Sequence, residues 1–205
     1  MRHDPRLDPE VVRRRLGRLN DQPIIRFPAQ RFFARGESYR EAGVLMPFTE
    51  CDGRMHLVYT ERAATLRAHA GEVSFPGGRL DPEDPSLEHT ALREAHEEIA
   101  LHPADVSVFG AFATVPTPSG FQITAYTGEF ASPYTLQASP DEVERLVVLP
   151  LDALIAPGVH HIEQREFRGR SFPVHAYAYA EGRTPIWGAT AFMTYSLLTF
   201  LGVDH

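Results

Sequence analysis

Three glutamates, Glu94, Glu97 and Glu98, stand at positions i, i+3 and i+4 of one short stretch. On a helix this spacing stacks their carboxylates along one stripe. All three are expected to be ionised at neutral pH, by their ordinary titration near ~4.3. Like charges so placed cost a helix a few tenths of a kcal/mol per pair, so the stripe does nothing for the helix itself. A hard divalent cation would offset that repulsion, because carboxylate oxygens suit Mg²⁺ or Mn²⁺. The plainer alternative is a solvated acidic helix face.

The elements that must position these groups are legible on either side. Leu92, Ala95 and Ile99 recur at helical spacing, which predicts a helix from about Glu88 to Ala100 with an apolar face against a core. Upstream, Phe75-Pro76-Gly77-Gly78 reads as a strand end running into a glycine turn. Two adjacent glycines permit φ > 0 and let a backbone come close to a ligand. A glycine loop leading into a carboxylate-laden helix suits metal-assisted phosphate chemistry, with the backbone N–H groups of Gly77 and Gly78 available to phosphate.

The run Arg93-Glu94-Ala95-His96-Glu97-Glu98-Ile99-Ala100-Leu101 resembles the core of the Nudix box, G-x5-E-x7-R-E-U-x-E-E-x-G-U. Arg93, Glu94, Glu97, Glu98 and Leu101 match it. Ala95 is small where a larger aliphatic is usual, and Ala100 replaces the closing glycine. Gly78 lies one residue too far from Arg93, so the first acid of the box falls on Pro85, with Glu83, Asp84 and Glu88 nearby. Immediately upstream, Thr60, Arg62-Ala63, Arg67, Gly71 and Phe75-Pro76-Gly77-Gly78 resemble L-L-T-x-R-[SA]-x3-R-x3-G-x3-F-P-G-G, the signature of the coenzyme A pyrophosphatase branch of that family. Its leading pair is Val58-Tyr59 here. Branch members share the one-residue stretch in the box.

The resemblance implies an α/β fold, the Nudix α/β/α sandwich with a mixed β-sheet between helices. It implies Mg²⁺ or Mn²⁺ held by Glu94, Glu97 and Glu98, with Arg93 orienting a glutamate. The general base comes from the box or a later loop, so Glu142 and Glu97 are the candidates. Substrate contacts are expected from Arg62, Arg67, Gly77 and Gly78, with His69 a further candidate. The implied substrate is coenzyme A, its thioesters or its disulfide, cleaved to 3′,5′-ADP and 4′-phosphopantetheine. Two alternatives stand beside it. One is hydrolysis of another nucleoside diphosphate derivative such as ADP-ribose. The other is a non-catalytic nucleotide-binding regulator, against which the intact glutamate set argues.

The chain has 205 residues, 43% hydrophobic and 23% charged, which suits one domain with a sizeable core over residues 1–205. A net charge of −7 argues against long nucleic acid as partner. The lone Cys51 excludes an intramolecular disulfide and reads as a small buried or inert thiol. No apolar run of membrane-spanning length or signal pattern is evident, so a cytoplasmic protein is expected, with no membrane partner. A homodimer is compatible with the family.

Asp8-Pro9-Glu10 predicts a capped helix to about Leu19, and residues 1–40 otherwise form a wrapping extension. Arg26, Arg31 and Arg35 of that extension read as solvated charge, with contact to a substrate phosphate the alternative. Apolar runs at Ala42–Phe48 and Met55–Tyr59 flank Asp52-Gly53 and predict a hairpin. Further strands are expected at Gly71–Phe75, Val106–Thr114, Gln122–Phe130 and Arg145–Leu149, then a turn at Pro150–Leu154 and a hairpin over 161–168 and 172–180. A C-terminal helix over Ala189–Leu201 should pack Phe192, Tyr195, Leu198 and Thr199.

Overall fold

Asp52 and Gly53 both take positive φ, 50° and 70°, and close a two-residue turn. That geometry matches the right-handed twist of the flanking strands. It joins β2 (Arg40–Cys51) to β3 (Arg54–Arg62), the hairpin expected from sequence. A computed structural model describes residues 3–27, 38–66, 69–167 and 169–203. Arg31, Arg35, Arg67 and Arg168 lie outside the described residues.

The other elements follow in chain order. They are α1 (Pro9–Leu16), β1 (Ile25–Arg26), β4 (Val73–Ser74), β5 (Gly77–Arg79), α2 (Leu87–Ile99), β6 (Val106–Pro116), β7 (Phe121–Phe130), β8 (Val143–Pro150), α3 (Leu151–Leu154), β9 (His160–Phe167), β10 (Arg170–Tyr177), β11 (Ile186–Trp187) and α4 (Gly188–Phe200). The main sheet runs β1-β6-β7-β2-β3-β4, with β5 also on β2 and β8 also on β3. It is mixed: β2 pairs β7 in parallel and β3 and β5 antiparallel. A smaller sheet runs β11-β10-β9. The architecture is an α/β mixed sheet flanked by helices, as the resemblance implies.

Alternation along β2 and β3 separates the two faces of the sheet. Leu45 and Val58 point to α2, where Ala91, Ala95, Ile99 and Leu101 meet them in one buried cluster. Val44, Met46, Phe48, Leu57 and Tyr59 point the other way, into the larger core shared with α1 and α4. α2 lies low on the sheet because small residues allow it. Gly43 faces the Leu87 carbonyl so closely that a Cβ would collide with it, and Ala91 and Ala95 are wholly buried. The small residue at Ala95 is therefore a packing requirement of this chain.

Several expectations change. α1 ends at Leu16, and a 3-10 turn (Leu19–Asp21) follows. Asp8 stands at its N-cap, yet its side chain makes no cap hydrogen bond, because it binds His3 Nε2 at 2.6 Å. The Pro150–Leu154 turn is the short helix α3. α4 is buried through Ala191, Met193, Thr194, Leu197 and Leu198; Phe192 and Tyr195 are only half-buried and Thr199 is exposed. Tyr59 Oη to Thr194 Oγ1, 3.1 Å apart and buried, pins that helix to β3. Cys51 is exposed at the hairpin end rather than buried. Among the described residues no helix is long and apolar enough to cross a membrane.

Candidate active site

Ser86 caps α2 by accepting a hydrogen bond from the His89 N–H at 3.1 Å. At the other end Ala100 takes the left-handed conformation, φ 56° and ψ 28°. The Leu101 N–H then reaches the Ala95 carbonyl at 3.4 Å, and Leu101 is wholly buried. This is the termination a glycine usually supplies. Alanine performs it at a conformational cost of about 1–2 kcal/mol.

Between these caps the three glutamates meet different surroundings. Glu97 is the most exposed, its side chain 54% accessible. Glu94 is mostly covered and Glu98 is buried. Arg93 holds the first two: its Nη1 donates to Glu94 Oε1 at 2.9 Å and to Glu97 Oε2 at 3.0 Å. Its other edge grips Asp84, with Nε to Oδ1 at 3.1 Å and Nη2 to Oδ2 at 2.9 Å. Asp84 is buried and also accepts from Thr90 Oγ1, the Asp81 N–H and His89 Nδ1. Above all the Arg93 guanidinium holds the Asp84 carboxyl well below the usual carboxylate range.

Asp84 is the acid left unassigned by the box spacing. Counting back from Arg93 lands on Pro85, but counting forward from Gly78 by the same pattern lands on Asp84. The extra residue therefore lies between Asp84 and Arg93. The forward count was the available signal.

Gly77 and Gly78 form a strand, β5, paired with Val44 and Gly43 of β2. The glycine turn expected there is not what forms. Their small size serves close packing. A Cβ on Gly77 would strike the Gly43 carbonyl and Val44, and a Cβ on Gly78 would strike the Glu94 carboxylate. Gly78 thus makes room for a site side chain.

Glu98 faces Arg62, with Nη1 to Oε1 at 3.8 Å. Its Oε2 is buried without a hydrogen-bond partner, and so is Arg62 Nε. Burial pushes the Glu98 carboxyl up to about 8. Arg62 and the Gly77 N–H pull it down, whereas Glu94 and Glu142 push it up as like charges. Glu94 is likewise raised, chiefly by burial, with Glu97 and Glu142 adding to it.

Backbone hydrogen bonds bring Glu142 here. The Ser139 N–H donates to the Glu98 carbonyl at 2.9 Å, and the Ala63 N–H donates to the Glu142 carbonyl at 2.9 Å. The 139–143 loop is thereby tied both to the end of α2 and to the residue after Arg62. The exposed Glu142 carboxylate has no hydrogen-bond or ion-pair partner among the described residues. His96 is exposed and packs edge-on to His102, outside the acid cluster. His69 takes φ 57° and binds Glu72 at 3.0 Å. Arg67 lies outside the described residues.

The donor set suits a hard divalent cation. Every candidate ligand atom is a carboxylate oxygen, Glu98 Oε2 lacks a partner, and Glu94, Glu98 and Glu142 repel one another. Among the described residues no three such side chains already converge on one point at coordination distance.

The NUDIX domain pattern matches residues 39–170. A Citrobacter koseri protein described as an uncharacterised Nudix hydrolase, NudL, is 37% identical over 185 residues, covering 89% of this chain and 95% of its own. A mouse protein described as a peroxisomal coenzyme A diphosphatase is 34% identical over 149 residues, covering 73% of this chain and 63% of its own. A crystal structure of a MutT/nudix family protein from Enterococcus faecalis superposes with a TM-score of 0.50 at 14% identity, over 84% of this chain and 71% of that one. By the extent of the domain match and of these identities, the chain belongs to the Nudix hydrolase family.

Proposed function

We propose that this chain hydrolyses the diphosphate of coenzyme A, its thioesters or its disulfide, in a metal-dependent reaction yielding 3′,5′-ADP and 4′-phosphopantetheine or its derivatives. The observation that carries the reading is the meeting of two motifs at one carboxylate. Arg62, from the branch signature, stands beside Glu98, from the box. The mouse relative's description points to the same substrate.

In the reaction water attacks one phosphorus and the bridging P–O bond breaks. The bridging oxygen leaves on the other phosphate, and the proton of water passes to a carboxylate. Glu98 and Glu94, with Glu97 at the rim, would hold Mg²⁺ or Mn²⁺, which when bound would supply charge neutralisation and acidify water. Arg62 favours the Glu98 carboxylate by countercharge against the burial that raises it, and a bound cation would complete its ionisation. Arg93 fixes Glu94 and Glu97, and Asp84 fixes Arg93. Glu142 is the general base, because its carboxylate is unengaged while Glu97 is tied to Arg93 at 3.0 Å. Replacing Glu142 by Gln should cut kcat about 10²-fold or more with metal affinity unchanged. Near-normal kcat would return the role to Glu97.

Substrate choice rests on the 3′-phosphate, whose charge only a cation rewards selectively. Arg62 faces Glu98, so Arg67, the other signature arginine, is assigned to the 3′-phosphate. Coenzyme A should be cleaved with a higher kcat/KM than 3′-dephospho-coenzyme A or ADP-ribose. Arg67→Ala should cost about 1.5–3 kcal/mol of transition-state binding, the scale of a hydrogen bond to a charged group. A preference for ADP-ribose, with Arg67→Ala leaving coenzyme A cleavage intact, would overturn the coenzyme A assignment.

A further inference from the structure

A cluster of arginines lies on the other side of the sheet from α2. Arg14, Arg15 and Arg18, at the end of α1 and just beyond, line a hollow of about 370 Å³ with Gln22 and Phe200. Arg13, one residue earlier, is neutralised by Glu50 and Glu129. No carboxylate among the described residues pairs with Arg14, Arg15 or Arg18, and Arg15 donates only to the Phe200 carbonyl at 3.3 Å. In a chain of net charge −7, three unneutralised arginines at one spot form a local anion trap.

Gln22 and Phe200 also border a second hollow of about 390 Å³. Its walls are apolar, chiefly Leu19, Ile25, Phe112, Phe192 and Phe200. That volume lies within the roughly 300–1,000 Å³ typical of small-molecule sites. A basic hollow therefore adjoins an apolar trough, the two sharing Gln22 and Phe200. Neither feature alone specifies a ligand, but together they set its polarity from end to end.

We propose that this trough binds a single long-chain anionic amphiphile. Its carboxylate or phosphate head is held by Arg14, Arg15 and Arg18, and its alkyl tail runs along Phe200 and Phe192 toward Ile25. Arginine forks match both head groups through paired hydrogen bonds. Buried methylenes supply affinity that grows with chain length. The site is separate from the acid cluster on α2, with the sheet between them.

Titration calorimetry on the full chain tests this with monomeric decanoate, dodecanoate, dodecyl phosphate and dodecanol. Dodecanoate and dodecyl phosphate should bind saturably at one site. Dodecanoate should bind about tenfold more tightly than decanoate, from its two added methylenes. Dodecanol should bind at least about tenfold more weakly, having no charge for the arginines. The double variant Arg14→Glu/Arg18→Glu should weaken dodecanoate at least about tenfold. Thr199→Trp, an exposed position on the trough wall, should weaken it by filling the space, and Glu98→Gln should leave it unchanged. Co-sedimentation with phosphatidylcholine/phosphatidylglycerol vesicles distinguishes a membrane source. Vesicle binding without saturable binding of monomeric dodecanoate would overturn the proposal. So would equal affinity for dodecanol, absence of a chain-length effect, or dodecanoate binding that survives both the arginine and the Thr199 variants.

Discussion

Two arginines flank the glutamates of α2, and they are used in opposite ways. Arg93 is saturated: Asp84 takes two of its donors, and Glu94 and Glu97 share a third. Arg62 has one carboxylate at 3.8 Å and a buried Nε without a partner. Around Arg93 every donor nitrogen is engaged within the protein, which fits a framework. Around Arg62 and Glu98 the hydrogen-bonding is incomplete, and an unpaired buried polar atom costs about 1–3 kcal/mol. A folded chain tolerates such a deficit where something from outside completes the set. The comparison thus divides one acidic stripe into a part that holds the helix in place and a part left incomplete, which the proposed cation and substrate would complete.

Removing divalent cations is the sharpest attack on that division. Excess chelator should abolish turnover of coenzyme A while the circular dichroism spectrum persists, and Mg²⁺ or Mn²⁺ should restore it. Full activity after rigorous metal removal would end the metal reading.

Glu98→Gln is next in size. It removes a buried ionisable group with little change of shape, so the melting temperature should hold or rise. Turnover should fall at least ~10²-fold, as for loss of a main electrostatic stabiliser. A stable variant with near-normal rate would show that the incomplete cluster is not the reacting one.

Asp84→Asn strikes the saturated side and should act mainly on stability. A loss of about 1.5–3 kcal/mol is expected in denaturant unfolding, the scale of hydrogen bonds to a charged group. The sign with pH follows from the depressed Asp84 carboxyl. Its contribution is fully present above the unfolded value near ~3.9 and is lost as pH falls through the lower folded value. Acidification below about pH 4 should therefore cost the wild type more stability than Asp84→Asn. Identical acid profiles for the two proteins would refute a framework role.

The smallest effect concerns the helix end that aims Glu98. Ala100→Gly should raise stability by about 1 kcal/mol, by relieving the left-handed conformation of Ala100. Thermal melts of both proteins would check it, and a lower melting temperature for the glycine variant would contradict the strain assigned to that residue.

Much of this was legible in the chain itself. The 3.6-residue period placed α2 within a residue or so of its observed limits, and Asp52-Gly53 announced the hairpin. Both signals are local, and local backbone chemistry is enough to produce them. The oxygen-donor character of the site needed only residue types and spacing. The two motifs over Val58–Leu101 placed the chain in its family.

Which acid does what is decided by contacts between residues far apart in sequence. Asp84 was masked by an inserted residue and identified by its grip on Arg93. Glu142 is brought beside the candidate site because the Ser139 and Ala63 amides tie its loop to α2 and the end of β3. Gly77 and Gly78 looked like a turn, but pairing with β2 made them a strand whose bareness admits Glu94. The pairing of the basic hollow with an apolar trough likewise arises only when α1, β6 and α4 come together. Spacing along a chain fixes which side chains share a helix face; burial and charge partners come from other elements, so only the packed structure separates Glu98 from Glu97.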